Sequence, residues 1–219
     1  MVRAAFPDKL VLPTIGNNDV IVHDQMPCTD QEAETYFGEL FDIWFEGQPK
    51  EFSKEAARQT FMQGGYYRHD FSNSNDTLLA LNSMYFMTEN QCQLQRGSAQ
   101  LDWLESQITN SSRKFILSMH VFPGLNYFKN HTQVFWHSNF TSRFLQILNE
   151  SQDKLRIVLG AHIHRAEFRD PMSDLYPNTS IPFLITQSIC PNSNNNPGYT
   201  VLSIDAQTHR FSKVIINSF

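Results

Sequence analysis

The sequence predicts an α/β protein built as a two-sheet sandwich flanked by helices. Three observations carry that expectation. Short apolar runs alternate with segments of helical periodicity, and the chain closes on a run of strands. Three of the apolar runs also end in side chains able to hold a metal ion: Asn17, His120 and the pair His162 and His164.

In order, residues 1–8 read as the end of a helix, with Pro7 and Asp8 as a stop before a strand from Lys9 to Ile15. A loop follows from Val20 to Thr29. Thr29 or Asp30 caps a helix from Gln31 to about Glu46, with carboxylates in the first turn where the helix dipole favours them. Gly47, Gln48 and Pro49 end it. Ser53 caps a second helix reaching Met62, and Gly64 and Gly65 terminate it. Tyr66 to Phe71 and Thr77 to Met87 read as an antiparallel hairpin whose long polar turn leaves the register open. After a loop from Glu89 to Gly97, Ser98 to about Thr109 is amphipathic, with Leu101, Leu104 and Ile108 on one face. A strand from Lys114 delivers His120, a long loop covers Pro123 to Thr132, and a helix is expected from Gln133 to Glu150. Leu155 to Leu159 reads as a buried strand, and Phe168 to Ser180 as irregular chain. Ile181 to Ser188, Tyr199 to Asp205 and Arg210 to Ile216 read as strands, with a flexible loop from Pro191 to Pro197.

At 219 residues the chain fits one domain with a sizeable core, and no linker or internal repeat divides it. A net charge of −5, with no basic run among aromatics, argues against a nucleic-acid-binding surface. No apolar stretch approaches the roughly 20 residues of a transmembrane segment. Phe37, Phe41, Trp44 and Phe45 fall at helical spacing, which suits a buried stripe; a lipid-binding face is the alternative. Cys28, Cys92 and Cys190 lack zinc-ribbon spacing, and two of them can pair in an oxidising compartment. Sequons at Asn75, Asn110, Asn130, Asn139, Asn149 and Asn178 point to a secreted or lysosome-like location, although Met1 to Asp8 carries no signal-peptide pattern.

The order Gly16-Asn17-Asn18-Asp19, then a strand-end His120, then Gly160, His162 and His164, resembles the calcineurin-like metallophosphoesterases. The stretches His120 to Gly124 and Gly160 to Phe168 are similar to the acid sphingomyelinase-like phosphodiesterase branch, as are Gly65-Tyr66-Tyr67 and Leu81 to Phe86. The resemblance implies a metallophosphoesterase-type two-sheet β-sandwich lacking its first strands, with residues 1–219 as the C-terminal two-thirds of a catalytic domain. It implies two Zn2+ ions, Asn17, His120 and His162 matching ligands of the first and His164 a ligand of the second. The family's bridging Asp and upstream Asp-x-His pair have no match here, so the implied site is incomplete and the fragment's activity impaired.

The implied reaction is hydrolysis of a phosphodiester, in which two metal ions activate water and neutralise phosphoryl charge. The substrate would be a phosphate-containing small molecule or a lipid headgroup. Asn18 stands where the commoner family pattern has a His; an amide binds a phosphoryl oxygen but gives no proton near neutral pH. Gly16-Asn17-Asn18-Asp19 is similar to an endopolyphosphatase-like variant, which keeps that activity as an alternative. A catalytically silent remnant with a binding role is another. Asp19 suits fixing the loop or orienting a ligand, and Arg165 suits either the phosphate or a salt bridge. The leaving-group proton would come from another group or from water; His23 and His131, near the motif loops, are candidates that read first as surface-loop histidines, and Asn82 reads as structural before it reads as part of the cleft.

Overall fold

Apolar runs too short to be helices become the buried centre of a parallel sheet. The computed structural model describes residues 5–126, 133–172, 175–205 and 211–219. In chain order the elements begin with helices α1 (Asp30–Phe45) and α2 (Lys54–Gly64) and strands β1 (Tyr67–Asp70) and β2 (Asp76–Ala80). Helix α3 (Leu94–Thr109), strands β3 (Lys114–Ser118), β4 (Leu125–Asn126) and β5 (Gln133–Val134), and helix α4 (Ser138–Glu150) follow. Strands β6 (Leu155–Gly160), β7 (Glu167–Arg169), β8 (Phe183–Ile185), β9 (Gly198–Ile204) and β10 (Phe211–Ser218) complete the chain.

The main sheet has the order β1-β2-β3-β6-β8-β7. Its four central strands are parallel, and β1 and β7 close the edges antiparallel. Both crossovers, β2-α3-β3 and β3-α4-β6, step in the same direction along the sheet. With the right-handed rule this puts α3 and α4 on one face. The helices touch in the order α1, α2, α3, α4, making one continuous layer. The aromatic stripe of α1 is core rather than a lipid face. Phe41 and Phe45 meet Phe61 of α2 at 5.4 and 5.5 Å between ring centroids, and Phe45 meets Tyr67 of β1 at 5.1 Å. Each such ring contributes about 1.5–3 kcal/mol by leaving water. Strands β9 and β10 form a separate antiparallel sheet whose Leu202 and Phe211 pack against the same core.

Helix signals were sound at most ends. Thr29 and Glu32 form a capping box, and Gly65 closes α2 in the left-handed conformation. Gly65 has no room for a side chain, which would run into Ile15 and Phe37. Several expectations are corrected. Lys9 to Ile15 is not a strand. Its Val11 N–H and carbonyl bond the Gln48 side chain, its Pro13 carbonyl accepts from the Tyr67 hydroxyl, and Pro13 itself has no ladder donor. Helix α3 starts four residues earlier than its pattern suggested. Gly97 reads as a breaker but serves a close helix approach, since a Cβ there would lie 3.1 Å from the Phe140 ring of α4. Gln133 to His137 is not helical: β5 pairs with β4, and Trp136 bridges Met87, so α4 begins at Ser138. The return strand stops at Ala80, before a 3-10 turn at Ser83–Phe86, and β7 occupies chain expected to be irregular.

Candidate active site

Adjacent parallel strands bring their carboxyl ends together, and β3 and β6 do this for two of the histidines. Beyond the strands the ladder continues, with Met119 N–H donating to the Leu159 carbonyl at 3.0 Å and Ala161 N–H to the His120 carbonyl at 2.8 Å. His120 and His162 therefore stand side by side, their rings 5.3 Å apart at 76°. Phe135 packs edge-on to His162 at 5.3 Å. His162 and His164 both take positive φ, 75° and 63°, in a region where a non-glycine residue is strained.

Asn17 reaches the pair from the other side. Gly16 N–H donates to Asp19 Oδ2 at 2.8 Å and Asp19 N–H to the Gly16 carbonyl at 3.0 Å, closing a tight turn. Gly16 lies against the His120 imidazole, where a Cβ would come within 3.0 Å of the ring. Asn17 Oδ1 then meets His120 Nε2 at 2.8 Å. On its far side Asn17 Nδ2 meets His23 Nε2 at 3.1 Å, and His23 Nδ1 meets Asp24 Oδ2 at 2.8 Å.

Burial pushes the His120 imidazole down to about 3, with His162 and His164 adding to the shift. Burial also lowers His162, partly opposed by Asp24 and Glu89. Neutral imidazoles are what a metal requires. His164 keeps a buried Nδ1 with no hydrogen-bond partner among the described residues, and so does one carboxylate oxygen of Asp24.

The structure thus brings Asn17, His120 and His162 to one place. Asn18 and Asp19 sit exposed on the same turn, and Asp19's carboxylate is engaged in holding that turn. Arg165 is half-buried on the His162 loop. Two imidazoles and an amide oxygen fit a single ion. Among the described residues no three or more His, Cys, Asp and Glu side chains are grouped to hold one. Asn82 is structural, its Nδ2 donating to the Gly64 carbonyl at 2.9 Å. His131 lies outside the described residues. His23 is the residue that sequence reasoning undervalued; its only signal was a position six residues after Asn17. A cavity of about 440 Å3 lies along β1, but there Arg68 is already bonded to Asp70 and Gln107.

No family model matches the chain. Curated proteins do. It is 27% identical to sphingomyelinase phosphodiesterase D of Dictyostelium discoideum over 96% of its length, and 28% identical to sphingomyelinase phosphodiesterase C of that organism over 90%. Its relatives include sphingomyelinase-type phosphodiesterases. Human cyclic GMP-AMP phosphodiesterase SMPDL3A extends the group, at 23% identity over 95% of this chain. The chain spans about half the length of these relatives, 47%, 46% and 47% respectively. Among solved structures it is similar to that of PhoD, with a TM-score of 0.44 and 12% identity over 77% of this chain and 48% of that one. No helix among the described residues is long and apolar enough to cross a membrane.

Proposed function

We propose that the chain belongs to a metal-dependent phosphodiester hydrolase of the acid sphingomyelinase-like type and carries one ion site of its catalytic centre. The observation behind this reading is the meeting of Asn17, His120 and His162 at the carboxyl edge of the sheet, with His120 held neutral by burial. Imidazole nitrogens with an amide oxygen suit zinc. A bound divalent ion supplies Lewis-acid charge for a phosphoryl oxygen and an activated water.

The chain's own groups do the rest. His120 Nε2 donates to Asn17 Oδ1 in the metal-free chain, and on loss of that proton His120, His162 and Asn17 would hold one ion; His164, whose buried Nδ1 has no partner among the described residues, is assigned to a second. Asn18 donates an amide N–H to a phosphoryl oxygen but has no proton to release, so the leaving oxygen draws its proton from elsewhere. Asp19 holds the turn that aims Asn17, and Arg165, half-buried on the His162 loop, is the side chain assigned to the substrate phosphate. The substrate class is a phosphodiester, whether a small molecule or a lipid headgroup. Endopolyphosphatases are also similar, but the example from Neurospora crassa is matched over only 72% of this chain and 21% of its own length. The Cys28–Cys92 disulfide and the exposed sequons at Asn75, Asn110, Asn139 and Asn178 favour a secreted or lysosome-like compartment.

Metal titration tests the reading. The purified chain should bind about one Zn2+ tightly, since catalytic sites usually take three protein ligands, and His162→Ala should abolish that binding. Hydrolysis of bis(4-nitrophenyl) phosphate should be zinc-dependent and weak, because one ion lacks the partner that shares the phosphoryl charge. Turnover without metal, or zinc binding unchanged by His162→Ala, would overturn the proposal.

A further inference from the structure

The loop after Asn17 contains a device that the phosphodiesterase reading leaves unused. Val22 to Gln25 form a tight turn, closed by Gln25 N–H donating to the Val22 carbonyl at 2.9 Å. His23 and Asp24 occupy its two central positions. Asp24 has φ of 64°, the left-handed conformation that Asp tolerates better than most residues. Immediately beyond, the chain is anchored. Met26 N–H donates to the buried Asn90 at 3.1 Å, and Cys28 is bonded to Cys92.

The protons in this array follow from its partners. A carboxylate only accepts, so His23 Nδ1, 2.8 Å from Asp24 Oδ2, must carry a hydrogen. In the neutral ring Nε2 is then an acceptor, and the atom 3.1 Å away is an Asn17 side-chain nitrogen that donates to it. With its NH2 group held there, Asn17 turns its oxygen toward His120, whose Nε2–H donates to it at 2.8 Å in the metal-free chain. Without His23 the amide could flip together with a change of the His120 tautomer, offering an N–H, which repels a cation, in place of a lone pair.

We propose that the His23–Asp24 pair is a positioning device that locks the Asn17 amide with its oxygen facing the imidazoles, ready for a metal ion. His23 acts through Asn17 and does not itself ligate. The proposal rests on the metal-site reading for its consequence, but the lock is a property of the metal-free chain.

Two measurements separate them. In the metal-free chain the Asn17 side-chain NH2 signals, assigned by 1H–15N NMR, should exchange slowly with water. His23→Phe should move them into the range of solvated amides, while His23→Gln, which keeps an acceptor, should restore them. An Asn17 signature indifferent to His23→Phe overturns the lock whether or not zinc binds. Zn2+ affinity is then read by competition with a chromogenic chelator. His23→Phe should weaken it about 10–100-fold, as loss of partners behind a ligand commonly does, and His23→Gln only slightly. In an Asn17→Asp background the same His23→Phe change should have little effect, because a carboxylate has no wrong end to present. Equal losses in both backgrounds would overturn the proposal and make His23 a general support or a ligand. Failure of the parent chain to bind zinc, with the NH2 signature intact, would overturn the metal reading and leave the lock standing.

Discussion

His120 pays for its place against Gly16 and His162 by losing access to water. Its imidazole is pushed down to about 3, chiefly by burial, so the folded state binds its proton far less readily than the unfolded chain. The stability contributed by the neutral ring is fully present above pH 6.5. It is lost progressively as the pH falls from 6.5 toward 3, where the unfolded chain holds the extra proton. The shift corresponds to on the order of 5 kcal/mol across that window. The metal-free chain should therefore unfold at lower denaturant concentration at pH 4.5 than at pH 7, and His120→Asn should flatten the difference. A variant with an undiminished pH slope would show that other groups govern acid sensitivity. Excess zinc should oppose the loss, because a coordinated nitrogen cannot take up a proton. At this scale His120 and His162 were legible because each follows an apolar strand that ends at the sheet's carboxyl edge, whereas Asn17 reaches the same place from a run that forms no strand. His23 was not. Its contact depends on a turn with Asp24 at positive φ, which neither spacing nor hydropathy encodes.

Elements were legible where one local signal dominated. The cap expected at Thr29 or Asp30 proves to be Thr29, in a capping box with Glu32, and the glycines after α2 marked its end correctly. The failures occurred where the neighbour decides. Leu10 to Ile15 has the composition of a strand, yet its Val11 and Pro13 backbone groups bond the Gln48 and Tyr67 side chains instead of a neighbouring strand. Gly97 sits inside α3 because Phe140 crosses there, a fact of packing that no window of sequence contains. The pairing of Cys28 with Cys92 also lay beyond spacing arguments. It ties the loop before α1 to the loop before α3 across 64 residues. Closing a loop of that length removes unfolded-state entropy worth about 4 kcal/mol in the chain-entropy account. The double variant Cys28→Ser, Cys92→Ser should lose stability on that order in equilibrium denaturation, with Cys190 left in place. A loss below about 1 kcal/mol would mean that Asn90 and the α1 cap hold the loop without the bond.

Across the whole molecule, apolar surface is unevenly distributed. The main sheet buries both faces of its central strands, whereas β9 and β10 leave Tyr199, Val201, Ile204, Val214 and Ile216 exposed, with Phe219 just beyond. This two-stranded sheet has an unpaired edge on each side among the described residues. Such edges present ready backbone donors and acceptors, and apolar side chains beside them make pairing with another chain favourable. An isolated hairpin of this kind draws little stability from itself. The strand-like run Leu10–Ile15 presents no such edge, because it forms no strand. The 219-residue chain should accordingly self-associate at the high concentrations used for sedimentation, because an apolar patch lies beside an unpaired edge. Val201→Lys with Ile216→Lys should shift the population toward monomer in sedimentation velocity, since charge on an edge strand blocks pairing. Zinc binding at the carboxyl ends of β3 and β6 should be unaffected. A parent chain that stays monomeric at such concentrations, or an assembly indifferent to both lysines, would locate the associating surface elsewhere.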